Sequence, residues 1–223
     1  MELPNRADLE ADFAGTLARL SSRHRRELMD LLGQPPDINR VPASFWAKVE
    51  KETRDELLAA LLLILLSSST LHGWSGNQTD AWATQWSADH AGSVAADYAA
   101  NSRDMLTVAG QAWGEMKPTR GDVLDTATSI FGPDRAARMA TTETTVAQTQ
   151  GGEMAITMTV GLSDEDEWKT NPHLSVEGPC RICAPLNGTT RDVWGLQFPD
   201  GPPAHCACVC EIIFAHMPEL IGA

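Results

Sequence analysis

Cysteine is absent from the first 179 of the 223 residues, and all five cysteines lie between Cys180 and Cys210. The first twenty residues carry four acidic side chains and no apolar core, so we expect no secretory signal. In a reducing cytoplasm, clustered cysteines bind metal more often than they form disulfides, and an odd count points the same way. The alternative is a set of reduced structural thiols without a metal.

The sequence also lacks an apolar run that could cross a bilayer. The most apolar stretch, Leu57 to Leu66, has ten residues, whereas a helical span needs about twenty. Because this stretch is apolar on nearly every side, it predicts a helix enclosed by other helices or by another subunit. We therefore expect no membrane span.

Basic residues are scarce, with 17 Lys and Arg against 30 Asp and Glu, which gives a net charge of −13. Non-specific affinity for nucleic acid comes from neutralising phosphates with basic side chains. The balance therefore argues against direct nucleic-acid binding, and it permits a basic protein partner.

The signatures of several enzyme classes are missing. None of the six histidines begins a His-x-Glu triplet, the half of the zinc-deaminase signature that would accompany Pro179-Cys180-x-x-Cys183. His-Glu-x-x-His, Gly-x-Ser-x-Gly, P-loop and dinucleotide fingerprints are also absent. We expect a protein that is not an enzyme.

Hydrophobic periodicity predicts a mainly α-helical body with a small C-terminal β-hairpin module resembling a zinc ribbon, an α+β fold. The predicted helices span residues 4–32, 44–67, 79–116, 121–131 and 133–150, and residues 153–162 suit either a strand or a helix. The serines after residue 66 and Gly151-Gly152 predict helix ends or kinks. We predict an N-terminal helical region of residues 1–132 and a C-terminal region of residues 133–223. Residues 168–212 of the latter form the metal module.

Two pairs of residues in the metal module have metal-ligand spacing. Cys180-x-x-Cys183 is followed, after 21 intervening residues, by His205-x-x-Cys208. Thiolates and imidazole together suit a tetrahedral Zn²⁺, and four protein ligands leave no open position for water or substrate. Asn187-Gly188 between the pairs is a hairpin signal. We predict a structural Zn²⁺ bound by these two pairs.

The exact ligand set is open at this point. Cys206, Cys208 and Cys210 alternate, so in an extended segment they would point to the same side. Cys210 or Cys206 is therefore the alternate for one of the four predicted ligands. A module with so little core of its own would depend on its metal to fold.

Five motifs, in this order and spacing, resemble the C-terminal region of phage minor head proteins, the Mu protein F-like or phage head morphogenesis family. They are Thr142-Glu143, Trp168-Lys169-Thr170, Cys180-x-x-Cys183, Leu186-Asn187-Gly188 and Pro202-Pro203-Ala204-His205-x-x-Cys208-x-Cys210. The resemblance covers residues 135–212. Cys206 departs from it, since the family usually has a proline there. Residues 164–167, which we expect to form a solvated acidic turn, stand where members are often basic.

The resemblance implies a structural and assembly protein of a tailed-phage virion, present in few copies in the head interior or at the portal vertex. Head morphogenesis and DNA packaging or delivery would be its roles, after synthesis in the host cytoplasm. Its partners would be the portal protein, the major capsid protein or further copies of itself.

The Thr-Glu pair is a recurrent mark of the family. We hypothesise that Glu143 accepts hydrogen bonds from Arg138, from Arg135 or from backbone N–H groups of the metal module, which would pin the module to its helix. Two other functions stay open: a zinc-dependent hydrolase or deaminase, and a zinc-ribbon module that binds nucleic acid or acts in regulation.

Overall fold

The computed structural model describes residues 3–115, 117–171 and 180–217. Its main helices are α1 (Arg6–Leu32), α2 (Ala43–Leu71), α3 (Asn77–Glu115), α4 (Arg120–Ile130) and α5 (Pro133–Thr159). They are followed by strand β1 (Glu167–Lys169), the short helix α6 (Arg191–Trp194) and strand β2 (Glu211–Ile213). The chain is therefore mainly α-helical with a small two-stranded antiparallel sheet, which confirms the predicted fold class. The predicted helix end at Met116 lies outside the described residues.

Helix α2 contains the most apolar stretch of the sequence. Leu57, Leu61, Ile64 and Leu65 are at most 1% exposed, whereas Leu63 is 53% exposed. One face of this stretch is therefore enclosed within the chain, whereas the exposure of Leu63 shows that the stretch is not enclosed on nearly every side as predicted. Among the described residues, no helix has both the length and the apolar character to cross a membrane.

The end of α2 lies beyond the predicted one. Residues 67–70, predicted as a loop, continue the helix to Leu71. The Ser68 hydroxyl donates a hydrogen bond to the carbonyl of Gln148 (2.7 Å), and the Ser69 hydroxyl donates to that of Gly151 (3.2 Å). Contacts with a distant helix therefore override the weak helix preference of serine.

Helix α5 runs through Gly151-Gly152 to Thr159, so the predicted break at these glycines is wrong and residues 153–159 are helical. A Cβ atom on Gly151 would lie 2.6 Å from the carbonyl oxygen of Leu65, and one on Gly152 would lie 3.0 Å from the ring of Phe214. The glycines therefore permit close approach of other segments and do not end the helix.

The described chain forms two compact units. Unit 1 comprises Met1–Asp12, Ala60–Ser87 and Arg138–Ala223, and unit 2 comprises Phe13–Ala59 and Ala88–Ala137. The predicted division after residue 132 stays a prediction. Unit 2 contains a buried set of rings, the aromatic core, which consists of His24, Phe45, Trp46, Tyr98 and Phe131.

The sheet belongs to unit 1 and joins segments that are far apart in sequence. Trp168 of β1 is paired with Ile212 of β2. The predicted turn at Asn187-Gly188 is present, with Gly188 at φ +76°. It does not directly connect the two strands of the sheet, which lie at residues 167–169 and 211–213. The turn instead brings Thr189 beside β1, where its carbonyl accepts a hydrogen bond from the Trp168 N–H (2.9 Å).

Candidate metal centre

The first Cys-x-x-Cys pair forms a tight turn that leads into a 3₁₀ helix at Ala184–Leu186. The N–H of Cys183 points at the sulfur of Cys180 (3.3 Å), and the N–H of Ala184 donates to the Cys180 carbonyl (2.8 Å). These bonds hold both sulfur atoms on the same side of the turn. This is the local geometry that two thiolates need to bind one ion.

The second group of donors lies just before β2. The N–H of Cys208 donates to the carbonyl of His205 (3.2 Å), which closes a second turn, and Ala207 within it has a φ of +58°. Cys208 and Cys210 are 1% and 4% exposed, so both thiols face the interior of the module.

The two turns bring five donor residues into two groups of three that share Cys183, and the four predicted ligands are divided between these groups. The Nε2 atom of His205 lies 2.8 Å from the sulfur of Cys180 and 3.1 Å from that of Cys183. Cys183 also lies 3.7 Å, sulfur to sulfur, from Cys208. Two groups of three, Cys180–Cys183–His205 and Cys183–Cys208–Cys210, each have their ligand atoms within 4.8 Å of one another. This Cys/His cluster could bind a metal ion.

The donor chemistry fits a tetrahedral ion that prefers sulfur and nitrogen. With metal–sulfur bonds of about 2.3 Å, tetrahedral geometry places two sulfurs about 3.8 Å apart, which is close to the Cys183–Cys208 separation. The distances from His205 Nε2 to sulfur, 2.8 and 3.1 Å, are shorter than the roughly 3.5 Å that the same geometry gives for a nitrogen and a sulfur ligand. Nδ1 of His205 lies 2.8 Å from the carbonyl oxygen of Cys206. In the tautomer with its proton on Nδ1, the ring donates to that carbonyl and the lone pair of Nε2 is available to a metal ion.

The buried thiols also polarise one another. Hydrogen bonds from the thiols of Cys183 and Cys210 lower the pKa of Cys208 below its usual range. Hydrogen bonding to Cys208 and Cys210, together with burial, raises the pKa of Cys183 above its usual range. The cluster therefore favours a thiolate at Cys208, and the thiolate is the form of cysteine that binds metals.

The two alternate ligands occupy different environments. Cys210 is buried and belongs to one of the two groups of three. Cys206 is exposed, lies outside both groups and has its sulfur 3.7 Å from the Thr142 hydroxyl oxygen. Which four of the donors bind the ion stays a prediction.

Threonine hydroxyls of α5 contact the backbone of the second turn. Thr142 Oγ1 accepts a hydrogen bond from the N–H of Ala207 (2.8 Å), and Thr145 Oγ1 donates to the carbonyl of Cys208 (2.5 Å). Between them, Glu143 is 7% exposed, while Arg138 is exposed. The hydrogen bonds proposed for Glu143 stay a prediction. The Thr145 contact was missed because nothing local distinguishes this threonine from its neighbours.

A charged cluster attaches the metal module to α5 at a second place. The guanidinium of Arg191 bonds to Glu153 (2.7 Å) and Asp166 (3.2 Å) and lies 4.6 Å from the ring centroid of Trp194. Burial raises the pKa of Glu153, although the bond to Arg191 lowers it.

Three side chains of the predicted solvated turn, Asp164, Glu165 and Glu167, are exposed as expected. Asp166 is instead 1% exposed, and its carboxylate accepts hydrogen bonds from the N–H groups of Ser163 (3.2 Å) and Ala215 (3.0 Å). The Ser163-x-x-Asp166 spacing is the sequence signal that could have singled out this carboxylate among its acidic neighbours.

Comparison of the chain with protein-family models, with curated proteins and with solved structures finds no match. The resemblance to phage minor head proteins therefore depends on the five motifs and stays a prediction.

Proposed function

We propose that this chain is a non-enzymatic structural and assembly protein of a tailed-phage head, a minor head protein associated with the portal vertex. Its C-terminal metal module would be held in shape by a structural Zn²⁺. The observation that carries the proposal is that the motifs of the resemblance contact one another in space.

These contacts are specific hydrogen bonds between motifs. The N–H of Gly188 donates to the carbonyl of Trp168 (2.8 Å), and the side-chain oxygen of Asn187 accepts from both the N–H and the hydroxyl of Thr170 (2.9 Å each). Thr142 accepts from Ala207 in the last motif. Motifs that form one structural unit are more informative together than five unrelated short matches.

Zinc is the metal that this donor set suits best, because thiolates and imidazole in a tetrahedral arrangement favour Zn²⁺. We propose Cys180, Cys183, His205 and Cys208 as its ligands, with Cys210 as the alternate for one of them. Four protein ligands leave no position for a substrate, so the ion would cross-link the two turns and carry out no chemistry.

The assembly role is tested by locating the chain in purified particles. We expect it to co-purify with phage heads or procapsids in far fewer copies than the major shell protein, and to bind isolated portal or capsid protein. Quantitative mass spectrometry of gradient-purified particles measures the copy number. Particles that lack the chain would contradict the proposal.

The structural role of the metal is tested by elemental analysis followed by Co²⁺ substitution. A closed site with sulfur and nitrogen ligands keeps its visible spectrum when azide or cyanide is added at low concentration, because no coordination position is open. A spectrum that changes with added ligand would favour a hydrolase or deaminase. A steeply salt-dependent affinity for DNA would instead favour a nucleic-acid-binding module.

A further inference from the structure

Arg6, in the first turn of α1, is a buried charge with a defined set of partners. Its side chain is 1% exposed. The guanidinium donates to the side-chain oxygen of Gln148 (2.8 Å) and to the hydroxyl of Thr145 (2.6 Å), and its Nε lies 3.8 Å from Glu10. Because an unpaired buried charge is costly, these contacts determine where the first turn of α1 can lie.

Thr145 has one hydroxyl proton and two carbonyl groups within reach. The carbonyl oxygen of Cys208 lies at 2.5 Å and that of Thr141, one helical turn back, lies at 3.1 Å. The bond to Thr141 is the one that any threonine in a helix can make. The positive charge of Arg6 on the same oxygen makes the hydroxyl a stronger donor, and the shorter contact is the one to Cys208.

The carbonyl that accepts this hydrogen bond belongs to Cys208, a residue of the Cys/His cluster. Cys208 is held from one side by its sulfur, which lies 3.7 Å from that of Cys183, and from the other by Thr145. The N–H of the preceding residue, Ala207, donates to Thr142. The orientation of the Cys208 thiol therefore depends on the hydroxyl groups of Thr142 and Thr145. The position of the Thr145 hydroxyl in turn depends on Arg6.

We infer that Arg6 is a positioning residue for the metal centre. Acting through the Thr145 hydroxyl, it holds the Cys208 backbone in the orientation that binds metal. Docking of the first turn of α1 and metal binding then strengthen each other. This inference rests on the metal centre of the proposed function, and it adds that residues distant in sequence set the affinity of that centre.

Linkage makes the inference quantitative. If docking of the first turn raises the affinity for metal by some factor, metal binding must stabilise the docked turn by the same factor. Groups that support metal ligands through hydrogen bonds typically change metal affinity about 10- to 100-fold when they are removed. We expect an effect in this range.

The test uses the full chain and Zn²⁺, with affinity measured by competition against a chelator. Arg6→Met and Thr145→Val should each weaken Zn²⁺ binding by about 10- to 100-fold, and the double variant should lose little more than either single variant. Thr145→Ser, which keeps the hydroxyl, should bind within about threefold of the wild type. Far-ultraviolet circular dichroism checks that the helices are intact.

Thr141→Val is the matched control. Its hydroxyl donates to Glu10 (2.5 Å), so the variant also removes a hydrogen bond between α1 and α5, but it leaves the bond from Thr145 to Cys208 in place. We expect its affinity for Zn²⁺ to stay within about threefold of the wild type. If Thr141→Val and Arg6→Met lost the same amount of Zn²⁺ affinity, general helix packing would set the affinity and the inference would be overturned.

The reciprocal measurement needs no variant. Hydrogen exchange at the amides of residues 9–12, the first of which bonds to the Asn5 carbonyl (3.0 Å), should speed up when Zn²⁺ is removed from the wild-type chain. The increase should match the loss of affinity in Arg6→Met. Unchanged exchange in a chain that binds Zn²⁺ would overturn this inference alone, whereas a wild-type chain that binds no metal would overturn the proposed metal centre and the inference with it.

Discussion

The aromatic core of unit 2 and the metal module of unit 1 differ in the side chains that fill their interiors. In the aromatic core, Phe45 and Trp46 have ring centroids 5.0 Å apart, and Phe131 lies 5.6 Å from His24. The metal module has strands of three residues each, and Cys183 and Cys208 lie at its centre. Buried rings can stabilise both parts, since Trp168 and Trp194 are fully buried in the module. Among the described residues, what sets the module apart is a group of donor side chains that a metal ion could cross-link.

Loss of a metal ligand should have the largest effect and should be confined to the metal module. We expect Cys208→Ser to weaken Zn²⁺ binding more than about 100-fold, because this thiol lies at the centre of the cluster. Tryptophan fluorescence should change as Trp168 and Trp194, both fully buried, become exposed. Chelator competition and fluorescence measure the two effects.

Cys206→Ser is the control for this variant, since Cys206 is exposed and lies outside both groups of donors. Its affinity should equal that of the wild type. Equal losses in the two variants would mean that Cys206 is a ligand after all.

Truncation of the aromatic core should destabilise the protein without changing its metal affinity. Phe131 is 1% exposed and contacts four other rings, so Phe131→Ala should lower the free energy of unfolding by about 3–5 kcal/mol. Leu124→Ala on α4, the helix that ends just before Phe131, should change it by less than about 0.5 kcal/mol, because this side chain is 46% exposed. A large drop in the Zn²⁺ affinity of folded Phe131→Ala would contradict the comparison between the two parts.

Replacing each of two helical glycines by alanine should change the free energy of unfolding in opposite directions. A Cβ atom on Gly151 would approach the Leu65 carbonyl oxygen to 2.6 Å and Ser68 to 2.9 Å, so Gly151→Ala should cost about 1–3 kcal/mol. Gly92 on α3 has nothing within 4 Å of that position, so Gly92→Ala should stabilise the protein by about 0.5–1 kcal/mol. Urea unfolding of both variants gives the two changes in the free energy of unfolding. If both changes had the same sign, the packing argument would be contradicted.

Acid should weaken the aromatic core through His24. Burial lowers the pKa of this histidine, although its 2.9 Å hydrogen bond to Glu52 raises it, and Arg23 and Lys48 add to the lowering. Because folded His24 binds protons less readily than the unfolded chain, its contribution to stability is present above pH about 6.5 and is lost as the pH falls below it. The expected slope is at most about 1.4 kcal/mol per pH unit.

The variant His24→Gln should flatten this part of the pH profile of the unfolding free energy. The control is His216→Gln, since His216 is exposed, and its profile should follow that of the wild type. Parallel profiles for all three proteins would show that His24 is not responsible for the acid sensitivity.

Much of the fold was predictable because the deciding signals are local. The stripe that contains Phe13, Leu17 and Leu28 predicts α1, and each of these side chains is at most 4% exposed. Thr119 and Asp122 form a capping box that explains where α4 begins. The two metal-ligand pairs were visible as short spacings for the same reason, and the structure brings residues from both pairs into one cluster.

The wrong predictions concern residues whose partners are far away in sequence. Ser68 and Ser69 remain helical because their hydroxyls reach carbonyls of α5. Gly151 continues its helix because Leu65 packs against it. Asp166 is buried because Arg191 and the N–H of Ala215 bind it. No local pattern contains these partners, so residue preferences alone led to a loop, a helix break and a solvated turn.

The sequence by itself determined the helical character of the body and the two pairs of candidate metal ligands. Both follow from the covalent order of the residues: apolar side chains at helical spacing and paired donors at metal-ligand spacing. Only the tertiary structure decided that Cys210 joins the buried thiols while Cys206 faces solvent, and that Arg6 reaches the Cys208 backbone through Thr145. These features depend on how segments 25 to 139 residues apart pack together, and packing of that kind leaves no periodic trace in the chain.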